Sequence, residues 1–215
     1  TAGVHRIIVK ATDSQGGEGF AETDVVALTI SGLTGQVYDG LSKSVTVTDV
    51  SPYETVTTYD ENLTLPVNAD SYAVEVSVKD GATDLETLTG YTMVVDKRPI
   101  TVTASTDTKT YDGDTSSGAT PTITLGSLAS GDIADWSQVF DTKHTGVGKT
   151  LTPSGTVDDD NSGANYSITF VAVFDGTITP RPLTVTAQTD TKVYDGTTTS
   201  DGIPILSELL VSGDT

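Results

Sequence analysis

Apolar and polar residues alternate along much of the chain with a period of two. From Ile100 to Ala104 the apolar residues are separated by threonines, and from Val74 to Val78 the valines are separated by Glu and Ser. Successive side chains of a β-strand point to opposite faces, so this pattern is typical of strands with one buried face. Further strands are predicted at 7–11, 25–30, 45–48, 122–125, 150–152, 166–173 and 177–179.

Clusters of Gly, Asp, Asn and Pro separate these strands, as in β-sandwich domains. One segment, 131–138, indicates a helix instead. Asp132 is a suitable N-cap, and Trp136 follows it by one turn of helix. We expect a helix of one or two turns there at most.

Internal repeats are the clearest signal in the sequence. The segment from Arg98 to Gly113 returns 83 residues later from Arg181 to Gly196. Over the twenty residues that start at each Arg, 15 are identical. A Ser-Gly-Asp triplet at 130–132 also recurs at 212–214, and the Tyr-Asp-Gly triplet has an earlier copy at 38–40. Repetition at this distance predicts modules of about 70 to 85 residues.

Proline-containing links mark the module boundaries. Asp96-Lys97-Arg98-Pro99 and Thr179-Pro180-Arg181-Pro182 each lie between two strand patterns, where Pro ends one strand and keeps the chain extended. Such short, stiff links favour modules in series, as an elongated rod. The predicted modules are 1–31, 32–98, 99–180 and 181–215.

The first and last of these modules are expected to be incomplete. Residues 1–31 look like the last hairpin of an Ig-like or cadherin-like domain, and residues 181–215 carry only the start of the repeated module. The chain also opens in mid-pattern without an initiator Met, so we expect an excerpt from a longer polypeptide.

Charge and composition exclude several classes of function. The chain has 30 acidic against 11 basic residues and a net charge of −19, which repels phosphate backbones and anionic lipid. It has no Cys, which excludes disulfides and thiolate metal sites. No apolar run is long enough to span a bilayer. Nucleic-acid binding and membrane insertion of this segment are therefore not expected.

Calcium is the best candidate ligand. Asp158, Asp160 and Ser162 place oxygen atoms at alternate positions before Gly163, like the first half of a calcium-binding loop. The second half of such a loop is missing, because Thr169 stands where a bidentate Glu is needed. A solvated acidic turn is the alternative. Asp13 with Glu18 is a weaker calcium candidate.

Other candidate residues favour structure over chemistry. Only His5 and His144 could act as a histidine base, and neither lies in a catalytic motif, so we do not expect an enzyme. The Tyr-Asp-Gly triplets suit turns with a positive φ at Gly, and Tyr72 and Tyr166 suit packing anchors at strand starts. Trp136 with Phe140 could form a sugar-binding platform or fill a core.

The order of motifs resembles the YDG repeat of bacterial surface adhesins. It runs from Lys-x-Tyr-Asp-Gly-x-Thr at 109–115 and 192–198, through Ser-Gly-Asp, to Gly146-x-Gly-Lys-Thr-Leu, Asn165-Tyr166 and the Ile-Thr-Pro-Arg-Pro that starts at 178. Segment 32–98, with its own Tyr-Asp-Gly, is similar to the related MBG-type module. The resemblance implies tandem repeats of large, secreted or cell-wall-exposed proteins that act in adhesion, biofilm cohesion or stalks. It implies no catalytic residues.

Together these observations predict an all-β chain of tandem Ig-like β-sandwich modules arranged as an elongated rod, with small β-grasp-like modules as the alternative. We expect a structural stalk segment of a bacterial extracellular adhesin at the cell surface, whose partners are neighbouring modules of the same polypeptide. A glycan- or receptor-binding module, with a host or matrix glycan or protein as partner, is one alternative. A subunit of a self-assembling extracellular fibre or sheath is another.

Overall fold

A computed structural model of the chain describes residues 28–48 and 53–215, together with the backbone of residues 26–27 and of short strands at 4–7, 11–12 and 18–19. Within these ranges the chain forms strands, turns and bends but no helix. The predicted all-β class is confirmed. In the same ranges the chain has no helix with the length and apolar character needed to cross a membrane.

Eighteen strands are assigned in the described residues. The strands up to residue 97 are β1 (Val4–Ile7), β2 (Ala11–Thr12), β3 (Glu18–Gly19), β4 (Val26–Ser31), β5 (Gln36–Val37), β6 (Thr46–Thr48), β7 (Glu54–Tyr59), β8 (Ser71–Asp80) and β9 (Thr83–Asp96). The later strands are β10 (Arg98–Thr103), β11 (Thr108–Thr110), β12 (Thr122–Leu125), β13 (Ile133–Phe140), β14 (Gly146–Asp158), β15 (Tyr166–Val171), β16 (Val173–Thr179), β17 (Val185–Thr186) and β18 (Ile205–Leu206).

By its internal contacts the chain divides into two compact units. Unit 1 comprises residues 1–100, 125–135 and 156–169, and unit 2 comprises 101–124, 136–155 and 170–215. Each unit therefore combines residues from more than one of the predicted modules.

Unit 1 contains a four-stranded sheet with the order β5-β9-β8-β7. The β8 strand pairs antiparallel with both neighbours, and its valines at 74, 76 and 78 are fully buried, as the period of two predicts. The short β5 strand instead pairs parallel with the end of β9, where Val37 lies opposite Asp96. This parallel pair brings the chain directly to the first Tyr-Asp-Gly triplet.

A second four-stranded sheet, most of whose residues lie in unit 2, has the order β11-β16-β14-β13. Its short β11 strand pairs parallel with β16, where Thr110 lies opposite Thr179. The core of unit 2 is built from Ala104, Phe140, Leu151 and Ile178, with Tyr111 and Val173 packed against it. Thus each of the first two Tyr-Asp-Gly triplets follows a short strand. This strand runs parallel to the strand of the same sheet that comes last in the chain, β9 or β16.

The remaining sheets have the strand orders β1-β4-β6, β2-β3, β12-β10-β15 and β17-β18. In the last of these, Val185 pairs with Leu206 and Thr186 with Ile205. These strands lie in the repeated segment at the positions of β10 and β12, which are also neighbours. The repeated sequence therefore forms the same strand pair.

The helix predicted at 131–138 is wrong, because β13 covers Ile133–Phe140. Along β13, residues 134, 136, 138 and 140 are wholly or partly buried, whereas the residues between them are exposed. This alternation is the period of a strand, and β13 pairs with the long β14. A capping residue favours a helix only weakly, and sheet pairing overrides it here.

Candidate functional site

Each of the three Tyr-Asp-Gly triplets forms the same local turn. In each, a side-chain oxygen of the Asp accepts a hydrogen bond from the backbone N–H two residues later: Leu41 to Asp39 (2.9 Å), Asp114 to Asp112 (3.2 Å) and Thr197 to Asp195 (2.9 Å). A nearby lysine also pairs with that Asp: Lys43 with Asp39 (2.6 Å), Lys109 with Asp112 (2.7 Å) and Lys192 with Asp195 (3.0 Å). This is the Asx turn for which Asp is suited.

The glycine of the triplet adopts a positive φ in all three copies. The angles are 82° at Gly40, 90° at Gly113 and 77° at Gly196. Residues with a Cβ rarely adopt this conformation, so the third position of the triplet requires Gly. The predicted turn with a positive φ is confirmed in every copy.

The tyrosines of the first two triplets are fixed by the last strand of their sheets. The backbone N–H of Tyr38 donates to the carbonyl of Asp96 at 2.9 Å, and that of Tyr111 donates to the carbonyl of Thr179 at 2.9 Å. Both hydrogen bonds continue the parallel pairs of β5 with β9 and of β11 with β16. These backbone bonds fix the position from which each tyrosine side chain extends.

We call the group of Tyr38, Ala129, Asp132 and Tyr166, with Gly40 beside it, the first joint; all of it lies in unit 1. The Tyr38 hydroxyl donates to the Asp132 carboxylate, with its closer oxygen at 3.0 Å. The Tyr166 hydroxyl donates to the same carboxylate and accepts from the backbone N–H of Ala129 at 2.7 Å. Both tyrosines are buried. The packing role predicted for Tyr166 thus includes a hydrogen-bond network.

The corresponding group in unit 2, which we call the second joint, is Tyr111, Val211 and Asp214, with Gly113 beside it. The Tyr111 hydroxyl donates to Asp214 at 3.0 Å, and the N–H of Asp214 donates to the carbonyl of Val211 at 2.9 Å. Asp132 makes the equivalent backbone bond in the first joint, to the carbonyl of Ala129 at 3.3 Å. Asp132 and Asp214 are both the last residue of a Ser-Gly-Asp triplet.

Each joint also places an apolar side chain against the glycine of its Tyr-Asp-Gly turn. A Cβ added to Gly40 would lie 3.4 Å from the Cβ of Ala129, and one added to Gly113 would lie 2.3 Å from Cγ1 of Val211. The second distance is a clash, so Gly113 is needed for this close approach as well as for its φ.

The acidic surroundings keep the joint tyrosines protonated. Burial, the hydrogen bond to Asp132 and the charge of that carboxylate raise the pKa of Tyr38 to about 12. Burial and Asp132 likewise raise the pKa of Tyr166 to about 12. The hydrogen bond to Asp214 raises the pKa of Tyr111. All three hydroxyls therefore remain donors at neutral pH.

A second group in unit 1 joins the turn at 158–165 to residues 68–69. The Asn165 side chain is fully buried; its Oδ1 accepts from the backbone N–H of Ala69 at 2.8 Å, and its Nδ2 donates to Oδ1 of Asn68 at 3.2 Å. Asn165 is held in turn by Asp159, which accepts from its backbone N–H at 3.0 Å. This contact holds two segments almost 100 residues apart in sequence.

The acidic turn is organised by Asp159 and not by the residues chosen as calcium ligands. Asp159 is buried and also accepts from the backbone N–H groups of residues 161 and 163, at 2.9 and 2.7 Å. Asp158, Asp160 and Ser162 are exposed. No group of three or more His, Asp or Glu side chains that could hold a metal ion occurs in the described part of the chain. Calcium binding at Asp158, Asp160 and Ser162 stays a prediction.

The weaker calcium candidate in the first hairpin falls outside what the structure describes. Asp13 is not among the described residues, and only the backbone of Glu18 and His5 is. His144 is described and exposed.

A cavity adjoins each joint. The one beside the first joint has about 390 Å³ and is lined by Tyr38, Asp132 and Asp158 to Asp160 among others. The one beside the second has about 220 Å³ and is lined in part by Tyr111, Val211 and Asp214. The four carboxylates of the first cavity disfavour an anionic ligand.

Trp136, one ring of the predicted sugar platform, is half-buried. It meets Phe170 edge to face, with ring centroids 5.9 Å apart. Phe140, the other ring of the predicted platform, is 2% exposed and belongs to the core of unit 2. This arrangement favours the packing interpretation of the two rings.

Sequence reasoning missed the joints themselves. The signal was present, since Tyr-Asp-Gly and Ser-Gly-Asp recur together, but their partners are 94 and 103 residues apart. The roles of Asp159 and Asn165 are also not evident from the sequence, because the alternating oxygens typical of a calcium loop fall on neighbouring residues.

Comparison with known proteins identifies two segments. No curated protein and no solved structure matches the chain. The family model of the MBG domain matches residues 26–97, and that of the YDG domain matches residues 96–173. The chain is therefore similar to an MBG domain over the first segment and to a YDG domain over the second, and both are repeat-type modules.

Proposed function

We propose that this chain is a structural stalk segment of a bacterial extracellular adhesin, located at the cell surface. In it, tandem Ig-like β-sandwich modules follow one another in series as an elongated rod. The observation that carries the proposal is the repeated joint, in which a Tyr-Asp-Gly turn bonds to the Ser-Gly-Asp turn of the following repeat. In a stalk, each module must be held to the next one by the same kind of contact if force is to pass along the series. The repeated joint is a contact of this kind.

The first joint connects the two matched domains through several bonds. Tyr38 belongs to the segment matched as an MBG domain, and Asp132 and Tyr166 belong to the segment matched as a YDG domain. The contact of Asn165 with residues 68 and 69 adds a second point of attachment. Two separate buried attachments restrict rotation about a link more than one would.

The link between the two domains is itself very short. The β9 strand ends at Asp96 and β10 begins at Arg98. The Arg98 guanidinium donates to the backbone carbonyl and the hydroxyl of Ser127, at 2.6 and 2.8 Å, and its backbone N–H donates to the carbonyl of Asn165 at 2.8 Å. These bonds support a stiff connection.

The acidic charge supports the same role. A net charge of −19 keeps an extended surface soluble and suppresses lateral association of chains. The proposed role needs no catalytic residues, and the partners of the segment are neighbouring modules of the same polypeptide.

Small-angle scattering of the 215-residue chain tests the proposal. A compact protein of this length has a radius of gyration of about 17 Å. We expect a clearly larger value and a maximum dimension that does not change with concentration. A compact profile would overturn the stalk. Growth of the particle with concentration would support a self-assembling fibre instead, and capture by a glycan array would support a glycan-binding module.

A further inference from the structure

The surroundings of the third Tyr-Asp-Gly triplet differ from those of the other two. Its tyrosine, Tyr194, is 93% exposed, whereas Tyr38 is buried and Tyr111 packs against the core of unit 2. The neighbouring Val193 is also 89% exposed. Tyr194 is thus the one tyrosine of the three triplets that no described residue covers.

The local structure around Tyr194 is nevertheless already formed. Asp195 caps its turn and pairs with Lys192, as in the other copies. The next loop is also repeated: Asp190 accepts from the hydroxyl of Ser200 at 2.7 Å and from the N–H of Asp201 at 2.8 Å. In the preceding repeat, Asp107 accepts from the hydroxyl of Ser117 and the N–H of Gly118 at 2.6 and 3.0 Å.

The glycine of the third turn has room beside it. A Cβ added to Gly196 would meet nothing within 4 Å. At the equivalent positions, Gly40 and Gly113 are approached by Ala129 and Val211, each of which immediately precedes a Ser-Gly-Asp triplet. The third turn therefore has the backbone shape of the other two. The side of its glycine that corresponds to the positions of Ala129 and Val211 is open.

We propose that the Tyr194 turn is a docking site for the Ser-Gly-Asp turn of a further YDG module. The Asp of that module accepts from the Tyr194 hydroxyl, and the apolar residue before its Ser-Gly-Asp packs against Gly196. The two occupied joints define this chemistry. The inference rests on the proposed structural role. It specifies that the module docking at Tyr194 needs a free Ser-Gly-Asp turn with an apolar residue before it.

A second copy of this chain does not satisfy the site. Its two Ser-Gly-Asp turns already accept from Tyr38 and Tyr111, through Asp132 and Asp214. The occupant is therefore a module with an unused turn, and the 215-residue chain is expected not to dimerise through Tyr194.

A lengthened chain provides the test. In this lengthened chain, residues 1–214 are joined to a second copy of residues 133–215. The Tyr194 of the second copy is replaced by Phe, so that only the original Tyr194 is measured. The reaction of each tyrosine with a nitrating reagent is measured by peptide mass spectrometry. In the 215-residue chain we expect Tyr194 to react fastest and Tyr38 to be protected. In the lengthened chain, the rate at Tyr194 should fall to that of Tyr111.

The added residues also complete the module that begins at residue 181, and this alone could protect Tyr194. A substitution in the copied Ser-Gly-Asp turn separates this effect from docking. Asp214→Ala in the copied turn should restore much of the reactivity of Tyr194 while leaving Tyr38 protected. Asp214→Ala in the 215-residue chain is the positive control, because it should expose Tyr111 in the same way. Tyr194 that stays reactive in the lengthened chain, or that is protected whether or not the copied Asp214 is present, would overturn the proposal. Neither result bears on the scattering test of the stalk, which uses the 215-residue chain.

Discussion

Tyr38 and Tyr166 meet edge to face, with ring centroids 5.6 Å apart and an angle of 76° between the rings, and both hydroxyls donate to Asp132. One ring belongs to the segment matched as an MBG domain and the other to the segment matched as a YDG domain. A single carboxylate thus holds both domains through charge-assisted hydrogen bonds, which are stronger than neutral ones.

Removal of the Tyr38 hydroxyl should weaken this contact. Tyr38→Phe keeps the ring but loses a hydrogen bond to a charged group, which contributes about 1.5–3 kcal/mol. We expect a loss of that size in the free energy of unfolding, measured with denaturant. Tyr194→Phe is the matched control and should change stability by less than about 0.5 kcal/mol, because its side chain is exposed. Equal effects of the two substitutions would contradict the role of the first joint.

The raised pKa values predict destabilisation at alkaline pH. The pKa of Tyr38 is raised from 10.0 to about 12, so between these values an unfolded chain loses the proton that the folded chain keeps. The stabilisation is complete below pH 10 and is lost as the pH rises through about 12. The melting temperature should fall over this interval, and less steeply in Tyr38→Phe. Parallel pH profiles of the two proteins would rule out this linkage.

Two glycines allow the close packing in the second joint to be tested separately from backbone strain. Gly113→Ala and Gly196→Ala both place a Cβ at a positive φ, which costs about 1–2 kcal/mol. Only Gly113→Ala also creates a clash, with Val211, for which overpacking adds roughly 1–3 kcal/mol. Thermal unfolding should show Gly113→Ala to be the more destabilised, and similar melting temperatures would mean that Val211 does not cover Gly113 in solution.

Asp159 should be the most sensitive position of the acidic turn. Asp159→Ala leaves three backbone N–H groups, at 161, 163 and 165, without their acceptor. Since each is bonded to a charged group, we expect a loss of about 3 kcal/mol or more. Asp158→Ala, at an exposed neighbour, should have little effect on the unfolding midpoint. The reverse order of the two effects would show that the turn is organised differently.

Calcium binding at Asp158, Asp160 and Ser162 can be decided by calorimetry. The prediction is that millimolar calcium raises the melting temperature and that Asp160→Ala removes the rise, because a ligand that binds only the folded state stabilises it. No change on adding calcium would leave the turn a solvated acidic loop. Asp159→Ala is unsuitable for this purpose, since it disturbs the turn itself.

Much of the strand content could be predicted from the sequence because it depends on local alternation. The valines of β8 show this, since each alternate residue is apolar and buried. Segment 131–138 shows the limit, because its alternation includes Gln138 as a buried member. That side chain is satisfied by the backbone of Ser105 and the hydroxyl of Ser117, which are distant in sequence.

The candidate site was less predictable because its contacts are long-range. The local turn at Tyr-Asp-Gly follows from the preferences of Asp and Gly, and it was predicted. The destination of the tyrosine hydroxyl depends on the pairing of β5 with β9 and of β11 with β16, which local periodicity does not reveal. Asp159 is hard to predict for a different reason: its contacts are local, but its neighbours on the turn carry the same side chain.

The parallel pairs that precede Tyr38 and Tyr111 bear on the order in which the chain can form its contacts. Tyr38 reaches its position only when the strand ending at Asp96 has been added, and Tyr111 only when the strand ending at Thr179 has been added. In both cases the Ser-Gly-Asp turn that accepts from the tyrosine comes later in the chain. A polypeptide that emerges from its N-terminal end would therefore finish one domain before the next needs it as a template. We therefore expect each repeat, once formed, to present its tyrosine turn to a successor that is synthesised after it.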